Sequence, residues 1–172
     1  MADATAPASP DLDPRDFRNA LGVFATGVTI VTTKTSAGEP IGLTANSFSS
    51  VSLSPPLVLW SLSLRSPNLP IFLQATHFAI NVLAHDQIAL SQRFAKPVPR
   101  KFEGVAHDFG AHGMPLLEGA AAQFECRTEA RHYSGDHVIF IGHVLHYSYA
   151  DRAPLGYCHG RYVTIEPVAE GS

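Results

Sequence analysis

Residues 41–68 read IGLTANSFSSVSLSPPLVLWSLSLRSPN. Two apolar runs, Val51–Leu53 and Leu57–Leu62, flank Ser54-Pro55-Pro56 and carry no charge. Short apolar runs bounded by turn residues read as strands buried on at least one face. Small hydroxyl and amide side chains surround them: Thr44, Asn46, Ser47, Ser49 and Ser50 on one flank, then Ser61, Ser63, Ser66 and Asn68 on the other. Such residues let a ligand come close to the backbone, and their hydroxyl, amide and N–H donors suit a phosphate or a heterocycle edge. On composition alone the stretch fits equally well a pair of core strands joined by serine-rich turns.

Upstream, Ala, Pro, Asp and Ser fill residues 1–12, a composition expected to form a flexible tail. Asp13 as N-cap, Pro14 at N1 and Asp16 in the first turn signal a helix start. Phe17, Ala20, Leu21 and Phe24 continue it at helical spacing to about Ala25. Val28–Thr33 is β-branched and reads as a strand, turning at Ser36–Glu39 into Ile41–Thr44. Downstream, Asn68 is placed to cap a short helix through Ala75, and Phe78–Leu83 reads as a strand. Asp86 is placed to cap a helix over Gln87–Ala95, which Pro97 and Pro99 end. Residues 101–118 lack periodicity and read as a long loop, the kind that often carries function. Ala121–Ala130 and His137–Tyr149 read as antiparallel strands joined at Ser134-Gly135-Asp136, and Arg161–Glu166 as a last strand. Short turns between six or so strands, with a few helices outside, predict a mainly β chain: an antiparallel barrel or sandwich with flanking helices, one domain over residues 13–168.

The bulk numbers exclude several classes. Twelve Lys and Arg against fifteen Asp and Glu leave a net charge of −3, which gives no electrostatic case for nucleic acid. Charged residues at 16% fall below the usual quarter, which suggests a surface covered by another subunit. No apolar run approaches the roughly 20 residues of a membrane span, and the N-terminus lacks the basic-then-apolar order of a secretory signal. Two cysteines, Cys126 and Cys158, form no CxxC pair, so a cytoplasmic protein with reduced thiols is expected. GxGxxG, P-loop and G-x-S-x-G motifs are absent from the sequence, against Rossmann, Walker and serine-hydrolase chemistry. Nine histidines raise a metal site, but His132, His137, His143, His146 and His159 have poor ligand spacing, and none is expected. Period-two alternation puts His137 and His143 on one strand face with Ile139, Ile141 and Leu145, and His146 on the other.

A resemblance enters with Gly42-x-Thr44-Ala45-Asn46-Ser47-Phe48-x-Ser50-Val51-Ser52-x-x-Pro55-Pro56-Leu57-Val58. This pattern resembles the FMN-binding split-barrel flavin reductases, which supply reduced flavin to two-component monooxygenases. Ala25–Thr29 precedes it, Arg65-Ser66-Pro67-Asn68 follows, and then come Phe78–Leu83, Leu90–Ala95 and Gly135-Asp136-His137. Each motif alone is weak; the order, from about Phe17 to Ile165, is specific.

The resemblance implies an antiparallel split β-barrel that binds FMN, or FAD, and takes hydride from NADH or NADPH. It also implies a homodimer and an oxygenase component that receives the reduced flavin. Thr44, Ala45, Asn46, Ser47 and Ser50 become candidates for flavin binding, with Ser61, Leu62, Ser66 and Asn68 on the next strand and turn. Arg65 is the only Lys or Arg between Lys34 and Arg93, hence the candidate in this stretch for the flavin phosphate, although an ordinary surface cation fits the same position. Arg93 and Phe94 are implied neighbours of the isoalloxazine; at a helix end, Arg can equally serve the dipole and Phe the core. By position, Gly135 and Asp136 make a turn and His137 ends a strand; the resemblance instead gives His137 a part in nicotinamide binding and hydride transfer. Tyr157, Cys158, His159 and Gly160 are the next candidates for the nicotinamide. The alternative in a different class is a non-catalytic flavin- or haem-binding protein on the same barrel.

Overall fold

The computed structural model describes residues 12–168. The Asp13 carboxylate accepts from the N–H groups of Arg15 at 2.7 Å and Asp16 at 2.9 Å, and so starts helix α1 (Pro14–Leu21). Of the expected tail, residues 1–11 lie outside the described residues. Helix α1 stops at Gly22, short of Ala25, because the chain extends into strand β1 (Thr26–Gly27). Its apolar stripe enters no core: Phe17, Leu21 and Phe24 are 50%, 59% and 78% exposed. Helical spacing identifies an amphipathic face without saying what covers it.

The next elements are β2 (Thr29–Lys34), β3 (Pro40–Ala45), β4 (Ser49–Leu53), β5 (Pro56–Ser63), α2 (Leu69–Gln74), β6 (His77–Val82) and α3 (Ile88–Ala95). After them come β7 (His107–Phe109), β8 (Pro115–Leu117), β9 (Ala122–Ser134), β10 (His137–Tyr149), β11 (Leu155–Cys158) and β12 (Arg161–Thr164). Seven strands pair antiparallel in the order β3-β2-β6-β9-β10-β5-β4, and β1-β11-β12 form a second sheet. Both ends of the long sheet stay unpaired with each other, so the sheet curls without closing: an antiparallel split β-barrel.

Several local expectations change in this context. Of the two apolar runs in the opening stretch, only β5 is a core strand; β4 lies at the sheet edge, with Val51 46% and Leu53 94% exposed. Asp86 caps nothing. Arg152 takes its carboxylate in two bonds of 2.9 and 2.7 Å, and α3 begins one residue later than expected, at Ile88. Asn68 occupies the cap position of α2 but makes no side-chain cap bond. The expected loop over 101–118 contains the β7–β8 hairpin, and β11 was not legible before β12.

Side chains alternate between two cores, as a pleated strand requires. Val31 of β2 joins Trp60, Phe72, Phe78 and Phe140 in one; Ile30 joins Phe94, Phe102 and Leu155 in the other. Trp60 stacks on Phe140 with centroids 4.8 Å apart and meets Phe72 edge-on at 4.9 Å. On β10 the alternation expected for His137, Ile139, Ile141 and His143 holds until a bulge between Val144 and His146 resets it, so Leu145 and His146 are both exposed. No helix among the described residues is long and apolar enough to cross a membrane.

Candidate active site

Where the curled sheet fails to close, the end of β3 meets β5. The Ser47 hydroxyl accepts from the Ser61 N–H at 2.9 Å and donates to the Ser61 carbonyl at 3.1 Å, a clasp across the split. Thr44 donates its hydroxyl to the Ser91 carbonyl of α3 at 2.6 Å. Both hydroxyls are therefore occupied in building the wall. What this segment offers a ligand is backbone: β3 pairs on one side only, so alternate N–H and C=O groups face outward.

A cavity of about 370 Å³ opens over this edge. Thr44, Ala45, Asn46 and Ser47 form one wall, and Ser61, Leu62, Ser66 and Asn68 the facing one. At one end stands His137, placed there by register: it pairs with Ser63 across β5 and β10. The two-residue turn before it needs a left-handed residue, and Gly135 supplies φ 59°. The Leu64 N–H donates to the Asp136 carbonyl at 2.9 Å, tying that turn to the end of β5. His137 Nδ1 lies 2.7 Å from Asp136 Oδ1. That hydrogen bond holds the exposed Asp136 carboxyl below the ordinary value, with the imidazole's charge adding to it. With Nδ1 donating to Asp136, Nε2 remains free for a ligand.

The last wall comes from beyond the motif. Lys96, Pro97 and Lys101 line the cavity from the segment after α3. Lys101 is half-buried; its Nζ donates to the Phe94 carbonyl at 2.7 Å and more weakly to the Gly42 carbonyl at 3.4 Å. Desolvation lowers its pKa from the usual lysine value. No motif pointed to either lysine. The available signal was that the two lysines flank the proline break, close enough to α3 to fold back over it.

The remaining candidates are distributed. Arg65 is exposed and does not line the cavity; its N–H bonds to Ser63 Oγ at 3.2 Å. Ser50 is on exposed β4, opposite Val58, away from the cavity. Arg93 points away too: its guanidinium donates to the Arg100 carbonyl at 3.3 Å and to the Glu103 carbonyl, holding the following loop. Phe94 borders the cavity, but its ring is 1% exposed and packs edge-on against Phe102 at 5.0 Å. A Cβ at position 42 would stand 2.8 Å from that ring, which explains glycine there. Of the C-terminal quartet, Tyr157 lines a neighbouring cavity of about 260 Å³ that shares Thr44, Ala45 and Asn46. Tyr162, not singled out from sequence, joins it with its hydroxyl 2.8 Å from Ser91 Oγ. Cys158 and His159 face a separate hollow, and Gly160 turns β11 into β12 at φ 73°. Among the described residues no three His, Cys, Asp or Glu groups converge as metal ligands.

The donor set fits a phosphorylated heterocycle. An unpaired strand edge can bond the rim of a planar ring, Leu62 and Pro97 offer apolar faces, and two ammonium groups with Ser66 and Asn68 suit a phosphate.

Known proteins carry the same arrangement of sequence and fold. FMN reductase (NADH) SmoA of Agrobacterium fabrum is 50% identical over 148 residues, covering 86% of this chain and 84% of that protein. The reductase component of the flavin-dependent trigonelline monooxygenase of Acinetobacter baylyi is 45% identical over 87% of this chain, which spans only 48% of that protein's length. The solved structure of Streptomyces globisporus NADH:FAD oxidoreductase SgcE6, in complex with NAD and FAD fragments, matches at TM-score 0.86 and 36% identity, covering 94% of this chain and 100% of that one. The match to the flavin reductase like domain runs over residues 21–166, from the last residue of α1 through β12, so the chain belongs to that family.

Proposed function

We propose that this chain is an NAD(P)H-dependent flavin reductase that passes hydride to FMN or FAD and supplies reduced flavin to a partner monooxygenase. The observation that carries this reading is one cavity joining an open strand edge, two lysines and His137 in a chain of the flavin reductase family. Bound flavin would supply the hydride acceptor and reduced nicotinamide the donor.

The residues have separable tasks. The backbone of Thr44–Ser47 bonds the ring edge, while the Ser47–Ser61 clasp keeps that edge from shifting. Lys101, assisted by Lys96, Ser66 and Asn68, compensates the phosphate. His137, oriented by Asp136, holds the nicotinamide through Nε2, and Tyr157 and Tyr162 bound the adjoining space. The name of SmoA favours NADH and FMN, and that of the trigonelline reductase component favours an oxygenase as recipient. A cytoplasmic location accords with two free thiols, of which the buried Cys126 is pushed up to about 12 by desolvation.

Anaerobic mixing with NADH and flavin tests the reading. Flavin absorbance should bleach with one flavin reduced per NADH oxidised. Tight flavin binding without bleaching would favour the non-catalytic carrier.

A homodimer belongs to the same proposal. Large apolar side chains stay exposed on α1, on β4 and along the β9–β10 hairpin, where Tyr147 and Tyr149 are 63% and 81% exposed. Surfaces of this kind mark association sites. Light scattering at micromolar concentration should give twice the 18.5 kDa chain mass. A monomer that still reduces flavin would remove the dimer from the proposal.

A further inference from the structure

At the end of the β2–β3 hairpin remote from Ala45, a cavity of about 420 Å³ opens beside the end of α2 and the start of β6. It shares no lining residue with the flavin cavity or that cavity's neighbour. Ile71, Ala75 and Met114 give it apolar surface, while Lys34, Ser36 and His77 give it donors.

Around those donors positive charge exceeds negative. Among the described residues Lys34 joins no ion pair, the four being Arg127–Glu129, Asp136–His137, Glu129–His143 and Asp86–Arg152. Its ammonium stands over Gly113, where a Cβ would come within 2.8 Å of Nζ. The buried Glu125 carboxylate is committed elsewhere, accepting from the N–H groups of Ala111 at 3.1 Å and His112 at 2.9 Å. The His112 ring lies parallel to that of His77, with centroids 6.0 Å apart. Burial holds His77 below the ordinary imidazole value, and the charges of His112, Arg127 and Lys34 add to this against Glu125 alone. On His77, Nδ1 meets Thr76 Oγ1 at 3.0 Å, so Nε2 is the ring atom left for a ligand. The carbonyl at the end of α2, which would repel an anion, is covered: Thr128 Oγ1 and Arg131 Nη2 donate to Ala75 at 3.0 and 2.7 Å.

We propose that this cavity is a binding site for a small organic monoanion, a carboxylate carried on a compact apolar body. Lys34 and His77 Nε2 take the carboxylate, and Ile71 and Met114 pack against the body. One ammonium and one imidazole match a single negative charge; a phosphate dianion asks for more cations than the lining holds. The apolar surface then selects an organic anion over an inorganic one. This site stands apart from the flavin reading and does not depend on it.

Amide NMR titrations with benzoate and with benzamide, its neutral counterpart, test this on wild type and on Lys34→Met. Lys34 is exposed at the end of β2, so the substitution removes the charge and keeps the fold, which a melting curve checks. Benzoate should shift the amides of Thr33–Ser36 and Gln74–His77 and saturate with a Kd on the order of 1 mM. Benzamide should bind at least about tenfold more weakly, and Lys34→Met should bring benzoate down to that level. Equal affinities for the two probes, benzoate affinity that survives in Lys34→Met, or no saturation below about 20 mM would each overturn the proposal. Shifts confined to Thr44–Ser47 would overturn it as well, since Lys96 and Lys101 would then hold the anion. So would inorganic phosphate binding more tightly than benzoate at the same amides. Anaerobic bleaching of flavin reads the reductase separately, so either reading can fail while the other stands.

Discussion

Replacing Lys101 with methionine is expected to weaken flavin binding by about 1.5–3 kcal/mol, roughly 10- to 100-fold in Kd. The ammonium has three donors; Phe94 and Gly42 carbonyls take two, which leaves a third for a ligand. It is already partly desolvated, which is why its pKa falls, and an arriving phosphate offsets that cost. Methionine keeps the stem's packing and removes only the charge and its bonds. Arg65→Ala is the comparison. An exposed guanidinium outside the cavity lining should contribute about 0–1 kcal/mol, because solvent and salt screen it. Both variants can be titrated with flavin by fluorescence quenching, with melting curves to confirm folding. Unchanged affinity in Lys101→Met together with a large loss in Arg65→Ala would return the phosphate to Arg65.

His137→Ala is expected to slow flavin reduction on the order of 10- to 100-fold while flavin affinity changes by less than about twofold. The imidazole stands at the cavity's end, and its orientation is set twice: by the pairing of residue 137 with Ser63 and by the 2.7 Å contact with Asp136. A side chain that orients one reactant acts on the limiting rate, whereas one that only adds affinity raises KM for NADH alone. A histidine that merely ends a strand would cost about 1 kcal/mol of stability and leave the rate intact. Stopped-flow reduction at saturating flavin and varied NADH, beside a melting curve, separates the three. An unchanged limiting rate with unchanged NADH dependence would exclude His137, and Tyr157, whose cavity shares Thr44–Asn46 with the one that His137 lines, would be the next substitution.

Much of the lining of this candidate site was legible because it is encoded locally. Thr44–Ser47 and Ser61–Asn68 lie within one continuous stretch, and β3 and β5 bring them face to face. Lys96 and Lys101 were not legible, since nothing in a proline-broken segment says which way it folds back. Arg93 and Phe94 were found for their position, but the structure gives them supporting work: one holds a loop and the other fills a core.

The sequence by itself determined what depends on neighbours along the chain. Asp13-Pro14 starts a helix because the cap bond spans two or three residues. Gly135-Asp136 turns a hairpin because one backbone angle requires it, and Val28–Thr33 extends because β-branched side chains favour a strand. Only the tertiary structure decided what depends on strand order and on distant partners. The apolar runs of β4 and β5 look alike, yet one is an edge and the other is paired on both sides. Asp86 has the right type for a cap, but Arg152, 66 residues away, binds its carboxylate. The cations lining the cavity are Lys96 and Lys101 rather than Arg65 because the α3 loop closes over Gly42, where only glycine leaves room for Phe94. Local bonds have partners fixed by covalent proximity; these others exist only once the curled sheet brings remote segments into contact.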